Sequence, residues 1–386
     1  MSLLRGRTLY IDPPSHHFLA DRLFEDDSDR LNGDQQNAPY VALRERLQAI
    51  GMAVHTVDRL PRQESAEREF LISLGGLDRL AALSGRADLI RCAFFALECP
   101  IVEPGIYRRL PRVARDFRRV CSWSSSKSLH RFTNSDLQLE RFRWPQSFDG
   151  VHESVWSNED RRFLAMINAN KLPRVYWQEL YTERMRAVAY FESHGEIDLY
   201  GKGWGEPPVR VGRTWLPWTI KKPALAIARA WQRRFPGDLQ RSAQRAWRGS
   251  VSSKALTLGQ YRYALCFENC VIEGWITEKI FDCFFAGVVP VYWGAPEIAD
   301  IVPAECYIDM RSFDGYAELR EYLHGLSDKE WRAQRQAARD FLASPGYQPF
   351  TCKAFVERIV SMLHEDSKLL GQGAGERAGA TCTEPA

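Results

Sequence analysis

The sequence predicts an α/β protein built on parallel sheets. Two stretches and the length of the chain carry that expectation. The first stretch is Tyr261 to Gly294, YRYALCFENCVIEGWITEKIFDCFFAGVVPVYWG. Its apolar run from Tyr263 to Phe267 reads as a buried strand and ends in the polar pair Glu268-Asn269. Thr277 stands where it caps the next helix, with Glu278 in the first turn. Ile280, Cys283, Phe284 and Gly287 then give the i, i+3, i+4, i+7 stripe of a helix packed on a sheet, and Gly287 is its stop. Val288 to Trp293 reads as a second buried strand, although Pro290 places its first residues at an edge or outside the ladder. Strand, helix and strand in this order form a βαβ unit, whose ligands sit at the carboxyl ends of the strands. The second stretch, Leu89 to Leu97, is a buried strand ending in Glu98-Cys99-Pro100. At 386 residues the chain has room for two domains, each with its own core.

The remaining elements follow in chain order. Thr8 to Ile11 reads as a strand and Pro39 to Ile50 as a helix, with Tyr40, Leu43, Leu47 and Ile50 on one face and Gly51 as its stop. Ala53 to Val57 and Val120 to Trp123 read as further strands. The connection from Asp12 to Ala38 is long and acidic, a length that usually marks a functional or mobile loop. Within it, Asp26-Asp27-Ser28-Asp29 admits a Mg²⁺ or Mn²⁺ reading. Hard-cation sites need convergent rigid oxygens, and this run lies in the half of the chain away from the corner at Asn269, so no metal ligand is assigned. The first domain is expected over residues 1–165 and the second over 166–350. In the second, Tyr181 to His194 reads as a helix and Glu196 to Tyr200 as a strand, followed by the turn Gly201-Lys-Gly-Trp-Gly205. That turn lacks the spacing of a dinucleotide loop. Helices are expected over Phe313–Leu326, Asp328–Leu342 and 351–364, and the composition of 365–386 is that of a disordered tail.

The apolar fraction of 45% and charged fraction of 26% are those of a globular domain. The chain starts MSLLRGRTLYIDPP, in which no hydrophobic leader develops, and no uncharged apolar run reaches the roughly 18 residues needed to span a bilayer. Nine cysteines without a C-x-x-C pair read as reduced core residues of a cytoplasmic protein. The net charge of +3 is uneven: residues 205–250 carry ten Lys or Arg against Glu206 and Asp238, which leaves the rest of the chain acidic. In that insertion Ala224, Ile227, Ala228, Trp231 and Phe235 share one helical face with Arg229 and Arg233 roughly opposite. Such a helix either lies on an anionic membrane surface or forms an inserted hairpin that covers the core. No nucleic-acid module is present to support a third reading.

Glu268, Asn269, Trp275, Glu278 and Lys279 gather polar and aromatic groups at one strand end and one helix start, a corner suited to a diphosphate. Read alone, Glu278 and Lys279 could equally be an ordinary solvated first turn and Trp275 a core anchor. Glu98 is a carboxylate facing the crevice of the first domain, with Glu103 as its competitor. Arg184 and Arg186 lie two positions apart and therefore on different faces of their helix.

The string FEN, a gap, then TEK, an apolar helix and VVPVYWG resembles the signature of the α-1,3/1,4-fucosyltransferases that use GDP-fucose. Weaker similarity to bacterial members extends over most of Thr8 to Phe350. The resemblance implies GT-B architecture: two Rossmann-like domains facing across a cleft, here with a basic helical insertion in the second. It implies an inverting transfer of L-fucose from GDP-β-L-fucose to a sugar hydroxyl, in an α-1,3 type linkage, on a bacterial surface glycan such as a lipopolysaccharide O-antigen. By it, Glu98 is the general base and Arg184 and Lys279 hold the diphosphate, with Arg186 in reserve. Asn269 and Glu278 bind sugar or ribose hydroxyls, and Trp275, where relatives often carry Tyr, walls the pocket. The expected partners are a GDP-sugar donor, a glycan acceptor and an anionic membrane surface through 205–250, with no nucleic acid. No cofactor is obligatory, and a divalent metal acts at most as a stimulant. The expected location is the cytoplasm, peripheral on the inner face of the membrane. A related GT-B transferase using another GDP-sugar, or a catalytically silent nucleotide-sugar or glycan-binding protein, remains as an alternative.

Overall fold

The structure, a computed structural model, describes residues 3–25, 34–76, 79–80, 83, 85–205 and 218–371. It holds two parallel sheets. The first has six strands in the order β2-β1-β3-β4-β5-β6, with β1 Thr8–Asp12, β2 Ala53–Thr56, β3 Glu69–Ser73, β4 Leu89–Ala96, β5 Arg119–Ser122 and β6 Glu140–Arg141. The second has five in the order β11-β10-β9-β7-β8, with β7 Arg162–Ile167, β8 Ile197–Tyr200, β9 Tyr261–Phe267, β10 Val289–Trp293 and β11 Ile308–Asp309. In each sheet the winding direction reverses between the domain's first and third strands, β1 and β3 in one and β7 and β9 in the other. Ligand crevices form at such switch points.

The central strands are buried on both faces, which is why they read as unbroken apolar runs. Phe94, Phe95, Tyr263 and Phe267 are each fully buried. Pro290 lies inside β10, opposite Ala264 of β9, while pairing with β11 begins only at Val291, so the proline precedes that ladder. Gly287 closes the helix Glu278–Ala286 in the left-handed conformation, as its position requires. β7 belongs whole to the second sheet. The change of domain therefore falls before Arg162 and not at 165/166, because Arg162, Leu164 and Ala165 pair with Tyr261, Tyr263 and Ala264. The last helix, Cys352–Ser367, outruns the expected end at 364 and packs Phe355, Ile359 and Leu363 into the first domain's core. It continues through 365 and 366 because the buried Asp366 carboxylate accepts from Arg118 and Arg119, at 2.8 and 2.9 Å. The rest of the proposed tail, 372–386, lies outside the described residues, as do Asp26, Asp27 and Asp29.

The basic insertion divides into two helices. Asp238–Ala246 covers the domain, burying Ala243 and Ala246, with Arg245 paired to Glu192 of the helix Tyr181–Ser193 at 2.5 Å. Trp218–Arg234 instead leaves Ile227 and Trp231, and Phe235 just beyond its end, exposed. One helix of the insertion thus covers the domain, while the other leaves large apolar side chains exposed.

The two domains meet through the loop between β9 and the helix Glu278–Ala286. Cys270, Ile272 and Trp275 from this loop lie in the hydrophobic core of the first domain. The Trp275 ring sits 4.7 Å from that of Trp123, Arg141 pairs with Glu273 at 2.9 Å, and the Ser124 hydroxyl donates to the Glu273 carbonyl. Gly274, at φ +80°, brings its backbone so close to Trp123 that a Cβ would lie 2.1 Å from the Trp123 carbonyl oxygen. Gly274→Ala should therefore force the loop off the first domain and lower stability by about 1–3 kcal/mol, read as a lower urea midpoint.

Candidate active site in the cleft between the sheets

A cleft of about 1320 Å³ runs between the two domains, and both switch points open into it. Glu98, Arg184, Asn269, Trp275, Glu278 and Lys279 all line it. The corner on the second-domain side is organised by Glu268. Its carboxylate, fully buried at the end of β9, accepts from the Thr277 amide at 2.8 Å, the Thr277 hydroxyl at 2.9 Å and the Lys279 ammonium at 3.1 Å. An ionised group out of water needs this many donors. Thr277 consequently starts the helix without giving it a side-chain cap: its hydroxyl is taken by Glu268 and also accepts from Lys279 at 2.8 Å. Burial alone would depress the Lys279 ammonium, but Glu268 and Glu278 hold its pKa above the usual lysine range.

Arg184 is buried to 3% exposure and points back at the same strand end. It donates to the Phe267 carbonyl at 2.6 Å and to Asn269 Oδ1 at 3.1 Å, and its guanidinium lies over the Tyr181 ring at 4.8 Å. Burial lowers its pKa, against the pull of Tyr181 and Glu268. Arg186 faces away and pairs with Glu183 at 2.5 Å on the surface. Glu103 is likewise occupied, forming a two-point pair with Arg174 at 2.7 Å. The Trp275 indole is 4% exposed, and its Nε1 has no hydrogen-bond partner among the described residues although it lines the cleft. Trp275 is thus both the core anchor and a pocket wall.

Glu98 lies across the cleft at the carboxyl end of β4. Its Oε1 accepts from the Cys99 amide at 2.8 Å and its backbone carbonyl from the Tyr107 hydroxyl at 2.6 Å. Burial raises its pKa, and Lys171 and Lys279 act against that rise. Both lysines therefore stand near enough to Glu98 to feel its charge. Glu98 lines the cleft and forms no ion pair among the described residues.

Further groups join the corner that no motif announces. Lys254 pairs with Asp282 at 2.7 Å, one helical turn beyond Glu278. Burial pushes Asp282 up to about 6 against Lys254. Glu278 goes the other way, to about 2: burial would raise it, but Lys279 and Lys254 override that. Asp34, at the end of the acidic connection, accepts from the Ser253 hydroxyl at 2.9 Å and the Lys254 amide at 2.8 Å. Asp34 thus crosses to the second domain, where the exposed amides of a helix start offer it donors. Among the described residues no group of three or more His, Cys, Asp or Glu is placed to hold a metal ion.

Two parallel-sheet domains facing across a cleft lined from both sides define GT-B architecture. The 386-residue chain is similar over nearly its whole length to the structure titled Anabaena Alr3699/HepE in complex with UDP, covering 93% of this chain and 100% of that one, at 11% identity and a TM-score of 0.50. At that identity the likeness shows the fold alone. Residues 232–336, which hold the Glu268–Lys279 corner, match the family model described as glycosyltransferase family 10 (fucosyltransferase) C-term. The chain is 35% identical over 77 residues to the alpha-(1,3)-fucosyltransferase FucT of Helicobacter pylori, covering 20% of this chain and 16% of that protein. It is 42% identical over 79 residues to the GDP-fucose protein O-fucosyltransferase 3 of Gallus gallus, 20% of this chain and 17% of that one. These matches span less than a fifth of either relative.

Lys254→Met should leave Asp282 buried without its cation and carry its pKa further above about 6. A carboxylate whose folded pKa exceeds its unfolded value costs stability once it ionises. The variant should therefore lose more stability than the wild type as pH rises from 5 to 8, measured as urea midpoints across that range.

Proposed function

We propose that the protein is an inverting fucosyltransferase that uses GDP-β-L-fucose. The single observation that carries this reading is the pair of opposed groups in one cleft: a cationic corner of Lys279 and Arg184 on one domain, and Glu98, unpaired and partly buried, on the other. In this mechanism Lys279 and Arg184 hold the diphosphate of the donor, aided by the start of the nine-residue helix Glu278–Ala286. Asn269 and Glu278 accept or donate to sugar and ribose hydroxyls, and Trp275 closes the pocket with its indole N–H toward the ligand. The acceptor hydroxyl gives its proton to the Glu98 carboxylate as its oxygen bonds to the anomeric carbon from the face opposite the phosphate. The bond from that carbon to the phosphate oxygen breaks, and GDP leaves with the electron pair, its growing charge met by the two cations. A raised carboxylate pKa strengthens Glu98 as a base at neutral pH. The chemistry proposed requires no metal. The α-1,3 type linkage and a bacterial surface glycan as acceptor belong to this proposal. The family segment supports fucose as the transferred sugar over another hexose, because its relatives are named for α-1,3 and protein O-fucosyl transfer.

A second part of the proposal concerns location. The helix Trp218–Arg234 carries no acidic residue, and Ile227, Trp231 and Phe235 are 71%, 66% and 57% exposed. Trp231 and Phe235 form an aromatic pair at 4.8 Å, with Arg234 over the Phe235 ring. Exposed large apolar side chains beside cations, on a helix without counter-charge, suit the headgroup region of an anionic membrane. No helix among the described residues is long and apolar enough to cross one.

Glu98→Gln should retain GDP binding and lose transfer by about 10²–10⁴-fold, with wild-type kcat/KM falling at low pH around a midpoint above the ordinary Glu value. Lys279→Ala should instead weaken GDP binding, measured by calorimetry. Loss of GDP binding in the Glu98 variant would reassign that residue. For the membrane, Trp231→Glu with Phe235→Glu should abolish co-sedimentation with anionic vesicles while leaving soluble transfer unchanged; equal sedimentation of both proteins would discard the membrane role.

A further inference from the structure

Beyond the donor corner the cleft is lined by further cations. Among the described residues nine Lys or Arg line it against five Asp or Glu. Several of these are neutralised locally: Arg79 by Asp12 at 2.5 Å, Arg174 by Glu103 at 2.7 Å, Lys254 by Asp282 at 2.7 Å, and Lys279 by Glu268 at 3.1 Å. Arg108, Arg109, Lys171 and Lys202 line the same cleft and form no ion pair among the described residues, and Arg184 has only neutral partners. A diphosphate diester brings two negative charges. In the proposed site Arg184 faces them together with Lys279, which Glu268 also holds, and Arg108, Arg109, Lys171 and Lys202 are not among the groups of that corner.

All four are exposed side chains on the cleft lining. Arg108 and Arg109 sit on the helix Pro104–Asp116, which begins just after Glu98 and turns Tyr107, Leu110 and Val113 into the core. That burial fixes the two arginines outward at the cleft. The same helix also carries Arg112 and Arg115 and only one acid, Asp116 at its last position. Other exposed arginines do have carboxylate partners, as Arg186 has Glu183 and Arg245 has Glu192. Lys171 follows β7 and acts on the Glu98 carboxylate more strongly than Lys279 does, so it stands at the acceptor's side of the reaction. Its loop is joined to that of Lys202 by the Asn170 amide, which donates to the Lys202 carbonyl at 2.9 Å.

We infer that the acceptor is anionic: Arg108, Arg109, Lys171 and Lys202 form an acceptor subsite for a glycan that bears a carboxylate or a phosphate near the hydroxyl to be glycosylated. A neutral oligosaccharide would leave these like charges facing one another in a partly closed cleft, whereas an oxyanion satisfies them and matches the planar forks of paired guanidinium groups. The inference rests on the glycosyltransferase reading for the location of the acceptor, but its test does not require transfer.

Binding to the full chain saturated with GDP would be measured for tetragalacturonate, its neutral methyl ester, N-acetylglucosamine 1-phosphate and N-acetylglucosamine. The anionic member of at least one pair should bind about tenfold or more tighter than its neutral partner at 50 mM salt. That preference should shrink several-fold at 0.5 M, as screening of exposed charges requires. Arg108→Glu with Arg109→Glu, both exposed positions, should abolish the preference and leave GDP affinity unchanged. The pair that shows the effect identifies carboxylate or phosphate as the recognised group. Equal binding within both pairs, or a preference that survives the charge reversal, would overturn the inference. Because binding is read without transfer, a protein that moves another sugar still shows the preference. Fucose transfer with no charge preference would sink only the anionic acceptor.

Discussion

The carboxylate of Glu268 is the constraint on which the second half of the cleft depends. It stands with no solvent exposure at the carboxyl end of β9, and an ionised carboxylate there is tolerable only if donors converge on it. Those donors are the Thr277 amide and hydroxyl and the Lys279 ammonium. Satisfying one buried charge thereby fixes where the helix Glu278–Ala286 begins, which way Lys279 points and how the intervening loop is folded. Gly294 records how tight this packing is, since a Cβ there would lie 2.5 Å from the Glu268 side chain. Arg184 completes the arrangement by taking the carbonyl of Phe267, the residue before Glu268, so both cations are referenced to one strand end.

The same loop sets the distance between the domains. It leaves β9 on the second sheet, buries Cys270, Ile272 and Trp275 in the first domain's core, and returns to start the helix. Cys99, next to Glu98, and Cys270, next to Asn269, have their sulfurs 3.4 Å apart, so residues adjoining the two opposed groups touch across the domain boundary. Packing of this density resists small displacements, because interiors are filled like crystals and not like liquids. The carboxylate on one side and the cations on the other are therefore held at a spacing set by apolar contacts, not by the charges themselves. On the opposite rim Asp34 ties the acidic connection to the start of the helix Lys254–Leu258, a second point at which the first domain reaches the second.

The charges in the cleft sort by environment. Glu98 and Asp282 are shifted up by burial, Glu278 is shifted down by its lysines, and all three lie along one lining. Three carboxyl groups on one lining thus differ in proton affinity because their surroundings differ. The cations divide likewise into those with carboxylate partners and those without. That division depends on which helices carry acids.

Sequence alone determined the parts whose physics is local. The parallel sheets were legible because β4, β9 and β10 are buried on both faces and so carry no alternation, and the βαβ unit because Gly287 can end its helix only in the left-handed conformation. The corner residues were legible because they follow one strand and open one helix within a dozen positions. Contacts made at long separation along the chain were not legible. Nothing in the local pattern pairs Asp34 with Ser253, Lys254 with Asp282, or Trp275 with Trp123. The choice between Arg184 and Arg186, and between Glu98 and Glu103, was equally beyond the sequence. Each pair looks alike in spacing, and only the tertiary structure gives Arg186 and Glu103 charged partners while Arg184 and Glu98 form no ion pair among the described residues. The extent of the last helix was settled the same way, by two arginines of the first sheet that reach the carboxylate of Asp366. Periodicity fixes what a segment is; the cost of leaving a buried charge unpaired fixes where it goes, and that cost is paid only once the chain has folded.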